Sequence, residues 1–244
     1  QDLTPTCRGE RGGGAYSIRY NRQMKSLLFD YGGTLDADAT TWLDRFHPIY
    51  KETGLDFTRE RFDRAFYDSD DNLPVRHALK GLDLAQTVRL QVEDVINILA
   101  PDRRDLIDPI ASRFVADCRE QFKRLTPALE RLAKRYRLGV VSNFYGNLDG
   151  ILAAEGLRPL FSVVADSGVL GVTKPDAAIF LHAAKAVSAS PAECVMVGDS
   201  IKRDMAGAAG VGMKKALISI ANETPAAGQD WTIRSVTELE AILG

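Results

Sequence analysis

Cysteine is scarce in this sequence. Cys7, Cys118 and Cys194 are the only three in 244 residues, and they lie far apart. They form no thiolate metal cluster and cannot all pair within one chain, so a disulfide framework is excluded. A reducing cytoplasm is the compartment this usage fits. Long apolar runs are also missing. None approaches the length that crosses a bilayer, so no membrane partner is expected. Charge of one sign is missing as well: 31 Lys and Arg stand against 33 Asp and Glu, a net charge of −2. Nothing global therefore attracts nucleic acid. Internal repeats are absent. Residues 1–23 hold a Gly triplet and scattered arginines but no continuous apolar segment, so no secretory signal is expected there. That stretch reads as a disordered extension, with Met24 as a natural start directly before the first strand.

What is present suits a soluble globular protein. The apolar fraction is 45% and the charged fraction 26%, enough for one large α/β domain or for a core with a smaller insertion. The chain is organised around Leu27, Leu28 and Phe29, an apolar run that stops at Asp30 and is followed by Gly32 and Gly33. A carboxylate at the end of a buried strand, beside flexible backbone, sits where open α/β sheets bind ligands. Glycines there let backbone N–H groups approach an anion. Three later stretches follow in order. Leu138 to Val141 is apolar and ends at Ser142 and Asn143. Lys174 precedes Pro175 and Asp176 at a helix start. Val195 to Val197 is apolar and runs into Gly198 and Asp199, with Asp204 five residues on.

This acid, hydroxyl, lysine and acid pair, with the stretch GDSIKRDMAGAAGVG, resembles the haloacid dehalogenase superfamily of hydrolases, most of which are magnesium-dependent phosphatases. The resemblance runs from about Met24 to Leu243. It implies a Rossmann-like three-layer α/β core with a parallel sheet, from residues 24–36 and 124–244, and a small helical cap inserted at 37–123. In a parallel sheet Asp30, Ser142 and Asp199 end strands on one edge, where Asp30 and Asp199 make an oxygen-only cluster suited to Mg²⁺. The resemblance adds the Gly32 carbonyl as a ligand and Asp204 as a metal-related acid. It makes Asp30 the nucleophile that forms an aspartyl-phosphate. Lys174 then neutralises charge, while the Ser142 hydroxyl and nearby backbone N–H groups, Gly33 among them, hold phosphate oxygens; the Asn143 side chain either orients substrate or caps the following turn. The expected partner is a small phosphorylated metabolite, acted on by a monomer or homodimer.

One position departs from the family pattern. The first motif usually reads Asp-x-Asp-Gly-Thr, and Gly32 stands where the second acid belongs. That acid protonates the leaving group and then activates water. Asp36 and Asp38, close behind in the same loop, are the candidates to compensate, and Thr34 is expected to steady the loop by a local bond. Gly32 keeps other readings open. C–P hydrolysis, as in the phosphonatase branch, needs a cap lysine, for which Lys51 or Lys80 would serve. A 2-haloacid dehalogenase is less favoured, because that branch has Tyr where Gly32 stands. A catalytically weak phosphate-binding regulatory protein uses the same fold.

Residues 36–123 read as helical. Trp42, Phe46, Ile49 and Tyr50 recur at helical spacing, Thr58 is an N-cap, and Val88 to Leu99 and Ile107 to Cys118 make further stripes. The polar segment from Asp68 to His77 reads as a turn, either a specificity loop or a helix connection. Arg45, His47, Lys51, Arg76, His77, Lys80 and Arg89 are candidate substrate contacts, set against a solvated basic face. Beyond the block, Thr126 and Pro127 read as the start of a helix to Arg135. Strands at Leu138, Phe161, Cys194 and Lys215 then alternate with helices, which implies right-handed crossovers.

Overall fold

The computed structural model describes residues 24–221 and 228–243. The expected extension at 1–23 lies outside the described residues. Six strands form one sheet: β1 (Ser26–Phe29), β2 (Arg137–Ser142), β3 (Phe161–Asp166), β4 (Cys194–Gly198), β5 (Lys214–Ile218) and β6 (Trp231–Ile233). Their order is β3-β2-β1-β4-β5-β6, and every pairing is parallel. β1 sits between β2 and β4, with Phe29 opposite both Val140 and Val197.

Alternation along β1 divides the core in two. Leu27 and Phe29 face one apolar cluster, which continues through Val140, Val197 and the helices that precede β2. Leu28 faces the other, with Val141, Met196 and Phe180. Both faces of the sheet are covered, as a parallel sheet requires. Leu27, Leu28 and Phe29 are all fully buried, and each contributes roughly 1.5–3 kcal/mol by leaving water.

Four helices lie between β1 and β2: α1 (Trp42–Glu52), α2 (Arg59–Arg76), α3 (Leu84–Leu99) and α4 (Ile107–Ala133). The Thr58 hydroxyl caps α2 at the Arg61 N–H as the sequence predicts. Two expectations fail here. The segment from Asp68 to His77 is not a turn; it is the last part of α2, which accommodates Pro74 and ends only at His77. Phe62, Phe66 and Leu73 supply the buried stripe that carries the helix through its polar run. Pro127 does not start a helix; it lies inside α4. The Thr126 hydroxyl bonds back to the Phe122 carbonyl at 2.7 Å, and buried Leu125, Leu129 and Leu132 pack the helix on the sheet side. Burial of that stripe outweighs the lost proline N–H.

The remaining helices are short: α5 (Leu148–Ala154), α6 (Ser167–Leu170), α7 (Ala177–Ala186), α8 (Ala206–Gly210) and α9 (Leu239–Leu243). Directly after β4, residues Ile201–Met205 form a π-helical turn rather than the α-helix the sequence implies. Such turns gather where a side chain must be re-aimed, and here the side chain is Asp204. No helix among the described residues is long and apolar enough to cross a membrane.

Candidate active site

β2, β1 and β4 end side by side, and each hands one side chain to the same edge. Ser142 closes β2, Asp30 follows β1, and Asp199 follows β4. Lys174 enters from the loop before α7, and Asp204 enters from the π turn. One oxygen from each of Asp30, Asp199 and Asp204 lies within 4.8 Å of the other two.

Asp30 is held by one oxygen. Its Oδ1 accepts from the Tyr31 N–H at 2.7 Å, the Ser142 hydroxyl at 2.8 Å and Lys174 Nζ at 2.8 Å. Its Oδ2 accepts no hydrogen bond from the described residues. Lys174 also donates to Asp204 Oδ1 at 2.6 Å. Asp204 Oδ2 accepts the Ser200 N–H at 3.0 Å, so both its oxygens are occupied. Burial alone would lower the Lys174 pKa, but Asp204 and Asp30 outweigh it and keep the ammonium charged. Burial raises Asp204 to about 6, against the pull of Lys174.

Asp199 is different. Its carboxylate accepts no hydrogen bond from any other described residue. Burial, then the charges of Asp30 and Asp204, push it up to about 7. Three carboxylates facing one ammonium leave this edge short of positive charge. The donors are all hard oxygens, so the residues present fit a Mg²⁺ ion, which would relieve that shortage.

Glycine makes the crowding possible. Gly33 has φ +77°, and a Cβ there would lie 2.5 Å from Asp199 Oδ2. At Gly198 a Cβ would lie 2.3 Å from Asp204 Oδ2. Gly33→Ala is therefore expected to lose about 1–2 kcal/mol from the left-handed backbone alone and to displace Asp199. Thermal unfolding should register the first effect, and a turnover loss of about tenfold or more the second. Wild-type values for both would remove the steric argument.

Above the edge lies a cavity of about 190 Å³. Asp30, Ser142, Lys174 and Asp199 form its floor. Trp42 and Phe66 come from α1 and α2, and Phe144 comes from the loop after β2. Trp42 meets Phe144 edge-on, with ring centroids 5.9 Å apart.

A protein-family model described as haloacid dehalogenase-like hydrolase matches residues 24–212. The chain belongs to this family. It is 30% identical over 215 residues to haloacid dehalogenase-like hydrolase domain-containing protein 3 of Mus musculus, covering 83% of this chain and 84% of the relative. A phosphoserine phosphatase of Thermus thermophilus is 33% identical over 90 residues, 36% of either chain. Among solved structures, a HAD phosphatase from Thermococcus onnurineus superposes with a TM-score of 0.53 at 26% identity, over 91% of this chain and 98% of that one. The chain is thus a hydrolase with the α/β fold that its strand and helix alternation implies.

Within this haloacid dehalogenase-like framework several side chains stand elsewhere than expected. The Gly33 N–H is committed to Asp36 Oδ1 at 2.7 Å, so it is not free for an anion. Asn143 lines the cavity, but its amide is bound to the backbone of Lys174. Its Oδ1 accepts the Lys174 N–H at 2.7 Å and its Nδ2 donates to the Lys174 carbonyl at 3.2 Å, which clamps the lysine backbone. Asp36 and Asp38 are not available as acids. Asp36 is 1% exposed and accepts from Trp42 Nε1 and from Arg45 at 2.9 Å. Asp38 is held by Gln121 and Arg124. The Thr34 hydroxyl is buried without a hydrogen-bond partner among the described residues.

None of Arg45, His47, Lys51, Arg76, His77, Lys80 and Arg89 lines the cavity. Arg45 is spent on Asp36, Arg76 and His77 on Asp94, and Arg89 on Glu93 and Asp108. Among the residues that do line it, and that the sequence reading missed as site residues, are Asp70, Tyr145 and Arg203. A signal for Asp70 existed: it stands four residues after Phe66, on the same helical face.

Proposed function

We propose that this hydrolase is a Mg²⁺-dependent phosphatase of small phosphorylated metabolites, working through an aspartyl-phosphate on Asp30. One observation carries the reading: three donors fix Asp30 Oδ1 and leave Oδ2 without a donor on the floor of the cavity. A carboxylate so held cannot rotate away, and its second oxygen is the nucleophile. The phosphatase names of relatives support the choice of substrate class.

In this reading residues 37–123 form a cap over a core of 24–36 and 124–244, with α4 continuous across the join. Asp30, Asp199 and the Gly32 carbonyl would hold Mg²⁺, with Asp204 behind them; the ion supplies charge neutralisation for phosphoryl oxygens. Lys174 pairs with Asp30 at 2.8 Å and offers positive charge to the transferring group. Ser142 orients Asp30. Asn143 holds the Lys174 backbone, and Gly33 leaves room for Asp199. Trp42 and Phe66 exclude water above the reacting atoms. The phosphonatase alternative loses support, since neither Lys51 nor Lys80 lines the cavity. Lys51 pairs with Asp56 at 3.4 Å instead.

Turnover of p-nitrophenyl phosphate tests the reading. EDTA is expected to abolish it and Mg²⁺ to restore it. Asp199→Ala should raise the Mg²⁺ concentration needed for half-restoration by about 10–100-fold, because it removes a charged ligand and leaves the rest. Hydrolysis that survives EDTA would sink the metal-dependent mechanism. A screen of phosphorylated metabolites then finds the substrate.

A further inference from the structure

The cavity holds a carboxylate that the core mechanism does not use. Asp70 is carried on α2, the helix that roofs the site, and lines the same cavity as Asp30, Lys174 and Asp199. Its Oδ1 accepts from the Tyr145 hydroxyl and from Gln91 Nε2 at 3.3 Å. Its Oδ2 accepts no hydrogen bond from the described residues. The acid that the family pattern places at position 32 is missing, and the neighbouring acids of the first loop are locked away: Asp36 by Trp42, Arg45 and Gly33, Asp38 by Arg124 and Gln121.

We propose that Asp70 replaces the missing acid at Gly32, giving a proton to the leaving group and later taking one from water. The inference rests on the phosphatase reading. In the first half-reaction Asp30 Oδ2 bonds to phosphorus as the phosphorus–ester oxygen bond breaks. The Asp70 carboxyl gives its proton to that oxygen, and an alcohol leaves. In the second, water attacks phosphorus as the Asp30–phosphorus bond breaks. The Asp70 carboxylate takes the water proton, and phosphate leaves with both carboxyls restored.

The surroundings shift the Asp70 carboxyl toward its protonated form. Burial raises the Asp70 carboxyl; the Tyr145 hydrogen bond, Arg203 and Gln91 lower it, Asp71 raises it, and the balance is upward. The placement also explains how position 32 can be glycine. Its φ is not in the left-handed region, and a Cβ there would meet only Trp42, at 3.8 Å. Backbone strain therefore does not demand glycine. The acid has moved from the core loop to the roof, so the reaction is complete only when α2 is seated on the core, as the Tyr145–Asp70 bond seats it.

The test is a comparison of leaving groups with the full chain and Mg²⁺. Asp70→Asn keeps shape and removes the proton. It is expected to lower kcat/KM on an alkyl phosphate about 10²–10⁴-fold. On p-nitrophenyl phosphate, whose leaving group needs no proton, kcat/KM should fall less than about tenfold, and a burst of p-nitrophenol should mark stalled phosphoenzyme. Tyr145→Phe removes the seating bond but keeps the carboxyl, so its loss should also fall mainly on the alkyl ester and be smaller than that of Asp70→Asn. Gly32→Asp in the Asp70→Asn background should regain alkyl phosphate turnover. Equal losses on both esters in correctly folded Asp70→Asn, with no burst, would overturn the role of Asp70 and leave the phosphatase reading standing. A wild-type protein inert toward alkyl, aryl and acyl phosphates alike would overturn both.

Discussion

Asp30→Asn is expected to abolish turnover, by about 10⁴-fold or more, while the protein still folds. The substitution keeps the oxygen that accepts from Tyr31, Ser142 and Lys174 and replaces the free oxygen with an amide nitrogen. An amide cannot form an acyl-phosphate. Stability changes little because two effects oppose. Lys174 loses one anionic partner but keeps Asp204 at 2.6 Å. Asp199 and Asp204 lose a repelling neighbour, which contributes to raising both. The Tm should stay within about 5 °C of wild type. Labelling with a phosphorylated substrate and acid quench should find covalent phosphate on wild type and none on the variant. Activity above about a hundredth of wild type, with no covalent phosphate on either protein, would refute Asp30 as the nucleophile.

The floor of this site was legible in the sequence because parallel strands solve the geometry. Once Leu27 to Phe29, Leu138 to Val141 and Val195 to Val197 are strands of one sheet, the polar residues that end them must meet. Lys174 needed the family resemblance, since nothing in a loop before a helix predicts where its side chain goes. What stayed hidden depends on packing between distant segments. The sequence places Asp36 and Asp38 nearest to Gly32, but Trp42, Arg45 and Arg124 claim them, and those pairings are fixed only when α1 and α4 assemble. Asp70 is 40 residues beyond Asp30 and looks like part of a solvated acidic run. Its burial follows from Phe62 and Phe66 docking α2 inward. Pro127 and the segment after Asp68 misled for the same reason: local turn chemistry lost to a buried stripe. β6 was missed because three residues carry too little pattern to read.

Lys174→Met should unfold the site and silence it together. Lys174 is 3% exposed and is the cation between Asp30 and Asp204. Methionine matches its stem but leaves Asp204, fully buried, with only the Ser200 N–H. Removing one partner of a buried ion pair costs about 3–5 kcal/mol, because the survivor keeps its desolvation penalty. In EDTA this should lower the Tm by on the order of 10 °C. Turnover in Mg²⁺ should fall about 10²–10³-fold or more, since in the proposed mechanism Lys174 offers its charge to the transferring group. The double variant Lys174→Met/Asp204→Asn separates the two losses. Asn keeps an oxygen for the Ser200 N–H and carries no buried charge, so stability should return toward wild type while turnover stays lost. Energies that simply add across the pair would mean Asp204 is not paired with Lys174 in solution. A single variant with wild-type Tm and wild-type turnover would remove Lys174 from the site altogether.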